Sequence, residues 1–554
     1  MKNVIIIYLL VTTAFFSIRC TSKADNASGK EFIWENATVY FLLTDRFSNG
    51  DTLNDLNFGR TAETKPTRGF MGGDIKGIIQ KLEENYFTNL GIDAIWLTPV
   101  VEQIHGAVDE GHGNTYGYHG YWAKDWTAFE PNFGSEEDFK KLVETAHAKG
   151  IRIVLDVVIN QTGPVTSIDP VWPDEWVRTS PQCSYQDYES TITCTLVENL
   201  PDIKTESNEE VEVPLFLKEK WKAEGRLESE MASLDSFFSK TGYPRTPRYY
   251  FIKWLTDFIR KYGIDGFRID TVKHVEESVW QALNTEALKA FEEWKEANPT
   301  KVLDNTEFYI VGEVYGYNIQ SANNYFFSDT VVNYFDYGFN SLINFSFKGD
   351  AHRSYNELFT VYSNYLKCMD GNWVMNYISS HDDWHSFDKE RKNPIVAGTK
   401  LMLTPGAVQV YYGDETARKL IVEGEEGDAN LRSFMNWDEL ESNLERNGYK
   451  IQDVLMHWQK LGRFRQAHPA VGAGIHTTIS SKPLIFLREY SSASLQDKVL
   501  VGLDLNKGEK TLPINGVFAE GSMLTDHYSG MEVQVIDDKV KINTVFDIVL
   551  LSIK

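Results

Sequence analysis

The 554-residue chain exceeds what one hydrophobic core usually supports, so a large domain with at least one satellite is expected. Its hydrophobic fraction of 42% and charged fraction of 24% are those of a folded globular protein and exclude a disordered one. A net charge of -24 excludes a binder of phosphate backbones, which needs clustered Lys and Arg, and leaves a neutral ligand as the easier partner.

Residues 1–20 combine Lys2, an apolar run from Val4 to Phe16, and Ser17-Ile18-Arg19-Cys20. The run is short for a membrane span and reads as an export signal. Cys20 stands where a lipoprotein carries its lipid anchor, although Arg19 is a poor fit to the small residue expected before it, so a lipoprotein signal and an ordinarily cleaved signal peptide are both open. No other stretch reads as a membrane span. A polar linker, 21–35, follows.

Beyond the linker, apolar strand-like runs alternate with amphipathic helices. Ala37–Thr44 is the first strand, Ile75–Leu90 a helix, and Ile92–Val100 the second strand. Ser135 and Asp138, spaced as a capping box, open a helix that Gly150 closes, and Arg152–Asn160 is the third strand. The pattern resumes with a helix over Tyr249–Tyr262 and strands over Ile264–Asp270, Phe308–Val314, Val331–Tyr337, Trp373–Ser379 and Ala407–Tyr412. Eight strands separated mainly by helices predict a (β/α)8 TIM barrel built from 36–160 and 249–465.

The stretch 161–248 is too long for a loop and reads as a subdomain inserted after the third strand. It carries Cys183 and Cys194, close enough to close a small loop in an oxidising compartment; Cys368 is expected to be a buried free thiol. From 466 to 554 helices give way to alternating runs, which predicts a C-terminal antiparallel β-sandwich.

Chemistry collects at the strand ends, which in a β/α barrel line one shared site. These ends carry Asp156 and Asn160, Arg268 and Asp270, Glu313, and His381 with Asp382. Side chains two apart on a strand point the same way, so Arg268 can hold Asp270 ionised, as a carboxylate nucleophile requires; alone, the pair would read as a structural ion pair. Acids from three strands are harder to assign to structure. The apolar run Tyr309-Ile310-Val311 before Glu313 would raise its carboxyl pKa and suit it to donate a proton, Asp382 would stabilise developing positive charge, and His381 would grip sugar hydroxyls.

DVVIN at Asp156–Asn160, LPD at Leu200–Asp202, GFRIDTVKH at Gly266–His274, GEV at Gly312–Val314 and SHD at Ser380–Asp382 occur in this order, with GYHGYW at Gly117–Trp122 and YYGDE at Tyr411–Glu415. Together they resemble the short motifs of the α-amylase family of glycoside hydrolases. The resemblance implies Asp270 as nucleophile, Glu313 as acid/base and Asp382 as transition-state stabiliser, with Arg268, His381, His119 and Tyr121 contacting substrate. It also implies a contact at Gln161, where the family usually carries His; Gln can donate a hydrogen bond but not carry charge. Lys273-His274 resembles enzymes acting on α-1,4-glucans, and LPDIKTES with TPRYYFIKWL looks most like the periplasmic bacterial α-amylases.

The resemblance further implies calcium. One site would use Asn49, Asp51, Asn54, Asp55, Asp74 and the Gly72 carbonyl; a second would bridge barrel and insert through Asn160, Asp202 and the His274 carbonyl. The expected function is an exported, retaining hydrolase of starch or maltodextrins with no nucleic-acid partner. A transglycosylase or cyclodextrin-acting enzyme would use the same acids, and a silent glycan-binding protein is the third alternative.

Overall fold

A computed structural model describes residues 31–111 and 113–554. The export signal and Cys20 lie outside the described residues. Among these, no helix is long and apolar enough to cross a membrane.

Eight parallel strands close into a barrel: β1 (Thr38–Leu42), β2 (Ala94–Leu97), β3 (Arg152–Val157), β4 (Gly266–Ile269), β5 (Tyr309–Gly312), β6 (Ser341–Asn344), β7 (Trp373–Asn376) and β8 (Ala407–Tyr411). Each pairs with its neighbours in sequence, and β8 closes on β1 with Thr38 opposite Val408. All residues of β1 to β5 are buried, as strands covered on both faces must be. The covering helices include α1 (Ile75–Glu83), α2 (Glu136–Ala148), α3 (Pro247–Tyr262), α4 (Glu277–Ala297), α5 (Tyr355–Lys367), α6 (Pro394–Met402) and α7 (Ile451–Ala467). The predicted capping box forms at α2, where the Ser135 hydroxyl accepts from the Asp138 backbone and the Asp138 carboxylate accepts in return. Helix α3 ends at Gly263, in the left-handed region at φ 71°, and a Cβ there would lie 2.0 Å from the Trp294 ring. Only glycine lets the chain turn there into β4.

The sixth strand is not where its sequence pattern suggested. Val331 and Val332 pair only with Phe326 and Tyr325 in a two-stranded ribbon, and Tyr334–Tyr337 is a 3-10 turn that Asn333 caps through Phe335 N. The barrel position falls to Ser341–Asn344. Cys368 is exposed rather than buried, because it caps the end of α5.

The segment between β3 and α3 holds a short ribbon, Val177–Arg178 against Asp202–Ile203, and helices over Leu215–Ala223 and Leu227–Thr241. Cys183 and Cys194 are joined in a disulfide. At the C-terminal end, strands β9 (Ile475–Ser481), β10 (Leu484–Ser491), β11 (Gln496–Leu503), β12 (Gly508–Pro513), β13 (Met523–Asp526), β14 (Glu532–Gln534), β15 (Lys539–Thr544) and β16 (Val549–Ile553) form an antiparallel sandwich. Its six-stranded sheet runs β9-β10-β11-β16-β13-β14, and the β12-β15 ribbon packs on it through Leu500, Leu512, Val540, Ile542 and Leu551.

Candidate active site

Register places the chemistry. On β4, Arg268 lies directly opposite Asp156 of β3 and Val311 of β5. Beyond the strands the ladder continues, with Asp270 N donating to Val157 O (3.0 Å) and Glu313 N to Ile269 O (2.9 Å), so both acids stand on rigid backbone. The next residue, Thr271, adopts φ 48°, a costly conformation for a β-branched side chain. That turn aims its N–H at Glu313 Oε2, 3.2 Å away.

One guanidinium joins three carboxyls. Arg268 Nη1 lies 2.8 Å from Asp270 Oδ1 and 2.9 Å from Asp156 Oδ1, and Nη2 lies 2.7 Å from Glu313 Oε2. A single positive charge cannot match three buried negative ones, so protons are retained in the cluster. Burial pushes Glu313 well above the ordinary carboxyl range, and the charges of Asp270 and Asp382 add to this against the pull of Arg268. Burial and Asp270 likewise push Asp156 up to about 7, against Arg268. For Asp382, burial alone would act upward, but His381 and the guanidinium groups of Arg268 and Arg432 hold it below its usual value.

The remaining contacts form a wall around these acids. Tyr121 donates to Asp156 Oδ2 (2.7 Å) and stacks on His381 with ring centres 5.2 Å apart. His119 accepts from Tyr121 N through Nδ1 (3.1 Å), and burial keeps both imidazoles neutral, His381 at about 3 and His119 well below its usual value. Neutral rings can both donate to and accept from hydroxyls.

The acids lie where two open cavities of about 540 and 510 Å³ meet, both lined by Leu196, Asp270 and Asp382. His119, Tyr121, His381, Asp428 and Arg432 line one lobe; Tyr185, Lys273, His274, Glu313 and Tyr315 line the other. Lys273 donates to Tyr315 O (3.3 Å) and the Tyr325 hydroxyl (3.2 Å). Gln161 lines neither lobe. It is buried, and its Oε1 accepts from Asn160 Nδ2 at 3.1 Å.

Sequence reasoning assigned no role to Trp96, Asp428 or Arg432 and left Asp156 as a strand-end acid without a task. Trp96 Nε1 donates to Asp156 Oδ2 (3.0 Å), and Arg432 Nε donates to the His381 carbonyl (2.9 Å). No sequence signal separates Trp96 from a core indole, and the task of Asp156 follows from its place opposite Arg268, which the fold supplies. Arg432 lies on a 3-10 turn, Gly427–Arg432, that carries no such signal.

A match to the family model of the alpha-amylase catalytic domain covers residues 41–474. The chain belongs to the alpha-amylase family. It is a glycoside hydrolase by that membership. The periplasmic alpha-amylase of Escherichia coli (strain K12) is 35% identical over 86% of this chain and 73% of its own length. A cyclomaltodextrin glucanotransferase of Thermoanaerobacterium thermosulfurigenes is 24% identical over 85% of this chain, which spans only 60% of that relative. The fold matches the alpha-amylase of Geobacillus thermoleovorans, solved with acarbose, at a TM-score of 0.66 and 21% identity, covering 95% of this chain and 100% of that one.

The loop after β1 brings candidate metal ligands together. Asn49 Oδ1 and Asn54 Oδ1 are buried without a hydrogen-bond partner, and Asn49 Nδ2 donates to Asp55 Oδ1 (2.9 Å). A Cβ on Gly72 would lie 2.4 Å from Asn49 Nδ2 and 2.6 Å from Asp55 Oδ1, so the glycine leaves that cradle open. Asp74 is committed elsewhere, capping α1 at Gly77 N (2.6 Å) and accepting from Asp51 N (2.8 Å), and Asp51 pairs with Lys76 (2.6 Å). Among the described residues no three His, Cys, Asp or Glu side chains cluster as a metal cage. An ion here would draw on the Asn49 and Asn54 amide oxygens, the Asp55 carboxylate and the Gly72 carbonyl, a hard oxygen set that suits calcium. The junction set fits less well, because Arg178 Nε already lies 2.8 Å from Asp202 Oδ2.

Proposed function

We propose that this protein is an exported hydrolase that cleaves α-1,4-glucosidic bonds in starch, maltodextrins or related α-glucans with retention of anomeric configuration. The observation that carries the reading is Arg268 holding Asp270 and Glu313 on its two terminal nitrogens. Two carboxyls converging on one guanidinium supply the pair that retaining hydrolysis divides between a nucleophile and a proton donor. Asp270 attacks the anomeric carbon while Glu313, protonated in its buried setting, gives its proton to the leaving oxygen. Glu313 then takes a proton from water, which displaces Asp270. Asp382 faces the positive charge that develops on the sugar, and Tyr121, His119 and His381 pack against the ring. The name of the periplasmic relative and the export signal over 1–20 together support a periplasmic or lipid-anchored location.

Products from amylose, maltoheptaose, pullulan and cyclodextrin, followed over time, test this reading. Reducing ends that retain the α configuration, released from the first two substrates, are expected; binding without cleavage would overturn it. Transfer products at high maltooligosaccharide concentration would favour a transglycosylase. The exposed rings Tyr185 and Tyr315 beside Lys273 give that second reading a place to hold an acceptor sugar.

Tyr185 sits at φ 54° inside the loop that the Cys183–Cys194 disulfide closes. Tyr185→Ala is expected to raise KM for maltoheptaose about 2- to 10-fold with little change in kcat, the effect of losing one aromatic contact. Initial rates measured across substrate concentrations will show it.

Asn49, Asn54, Asp55 and the Gly72 carbonyl would hold calcium, whose charge would tie the loop after β1 to the segment before α1. Chelation is then expected to lower the melting temperature of the unsubstituted protein. In Asp55→Ala the melting temperature should start lower and no longer respond to chelator, as calorimetry with and without added calcium will reveal.

A further inference from the structure

Where the inserted segment meets the barrel, three backbone stretches lie side by side. Ile203 N donates to Asn160 O (2.8 Å), Thr162 N donates to Pro201 O (3.0 Å), and Gln161 forms a bridge with Asp202. Asp202 in turn pairs across an antiparallel ladder with Arg178. Cross-ladder partners share a face, so the side chains of Asp202 and Arg178 stand together. Asp202 is almost fully buried, and Arg178 is 14% exposed. Arg178 Nε lies 2.8 Å from Asp202 Oδ2, off the axis of a hydrogen bond, so charge holds the contact; its Nη2 reaches Glu206. Next to Glu206, Thr205 Oγ1 donates to Glu276 Oε2 (2.8 Å), on the loop between β4 and α4.

We propose that Arg178 supplies from within the chain the positive charge that fastens the inserted segment to the barrel at Asp202, so that this junction needs no divalent cation. A calcium ion must approach a carboxylate oxygen to about 2.3–2.6 Å. At Asp202 Oδ2 it would meet a guanidinium that never loses its charge and already occupies that approach. With that approach filled, Asn160, whose amide nitrogen is tied to Gln161, keeps its Oδ1 without a partner, and the rest of an ion's roughly six to eight oxygens would have to come from backbone and water. A buried carboxylate needs a counter-charge or a proton, and Arg178 is the cation that stands beside Asp202. The consequence reaches the cleft, because the same insert carries Tyr185, Leu196 and Leu200 to its walls. Their placement is independent of ambient calcium.

The test counts calcium bound per chain after equilibration with calcium chloride and removal of free ion, alongside melting with and without EDTA. Neither readout depends on hydrolysis, so the outcome stands apart from the amylase reading. Asp202→Asn is expected to bind as many calcium ions as the unsubstituted protein. Arg178→Met should melt several degrees lower, bind one additional calcium and regain stability with millimolar calcium chloride, whereas Arg178→Lys should bind no extra ion. Loss of one calcium in Asp202→Asn would overturn the proposal, as would Arg178→Met melting and binding calcium like the parent. If Arg178→Met does not fold, the count for Asp202→Asn decides alone.

Discussion

Replacing Asp270 by Asn is expected to lower kcat/KM on maltoheptaose by at least about 10³-fold while melting changes little. The amide keeps the shape of the side chain and an oxygen for Arg268 Nη1, 2.8 Å away in the parent, but it cannot form the glycosyl ester through which retention proceeds. Glu313→Gln should behave differently. With a maltosyl fluoride, whose leaving group needs no proton, attack by Asp270 still proceeds and the intermediate waits for a base that is no longer there. Mass spectrometry should then find a glycosyl adduct on the peptide containing Asp270, and none in Asp270→Asn. In the parent, activity should fall on the alkaline side as Glu313 loses the proton it donates, at a pH above the ordinary carboxyl range because burial holds that proton. An adduct on Glu313 in Asp270→Asn would reverse the assignment of roles, and none on the Asp270 peptide of Glu313→Gln would overturn it.

Most of this arrangement was legible because a barrel converts one-dimensional position into convergence. Asp270, Glu313 and Asp382 lie more than about 100 Å apart along an extended chain, yet each follows a short apolar run, and strand ends of a barrel share one mouth. The sixth strand escaped for a local reason. Val331 and Val332 have the branched side chains of a strand, but Asn333 turns the chain by capping Phe335, and the barrel strand is the four-residue Ser341–Asn344, whose Asn344 donates to Asn376 (2.8 Å). Nothing in a stretch so short and half polar announces a core strand. Trp96 escaped because an indole reads as core unless its N–H is seen to reach Asp156. Gln161 was read against the substrate because of its place in the motif; the backbone bridge to Asp202 takes it to the junction instead.

Asp156 is where stability and chemistry meet, and Asp156→Ala is expected to cost both. Its carboxyl receives Arg268 Nη1 (2.9 and 3.0 Å), Trp96 Nε1 (3.0 Å) and the Tyr121 hydroxyl (2.7 Å) with no exposure to water. Truncation leaves two buried donors unpaired and a buried guanidinium short of one partner, a loss on the order of 3–5 kcal/mol. Scanning calorimetry should register it as a fall of several degrees in the barrel transition. Asp156→Asn separates the two roles, because the amide oxygen still accepts from Trp96 or Tyr121 while the charge is gone. Above about pH 7 the native carboxyl is ionised and shares Arg268 with Glu313. Without that anion the guanidinium acts on Glu313 less opposed and favours its ionised form, so the pKa of the acid drops. The alkaline limb of kcat/KM should therefore move to lower pH in Asp156→Asn, alongside a weaker fall in melting than in the alanine variant. A purely structural Asp156 would lower the height of the profile and leave its limbs in place. A shifted limb would make it a positioning residue that sets the proton on Glu313 through Arg268.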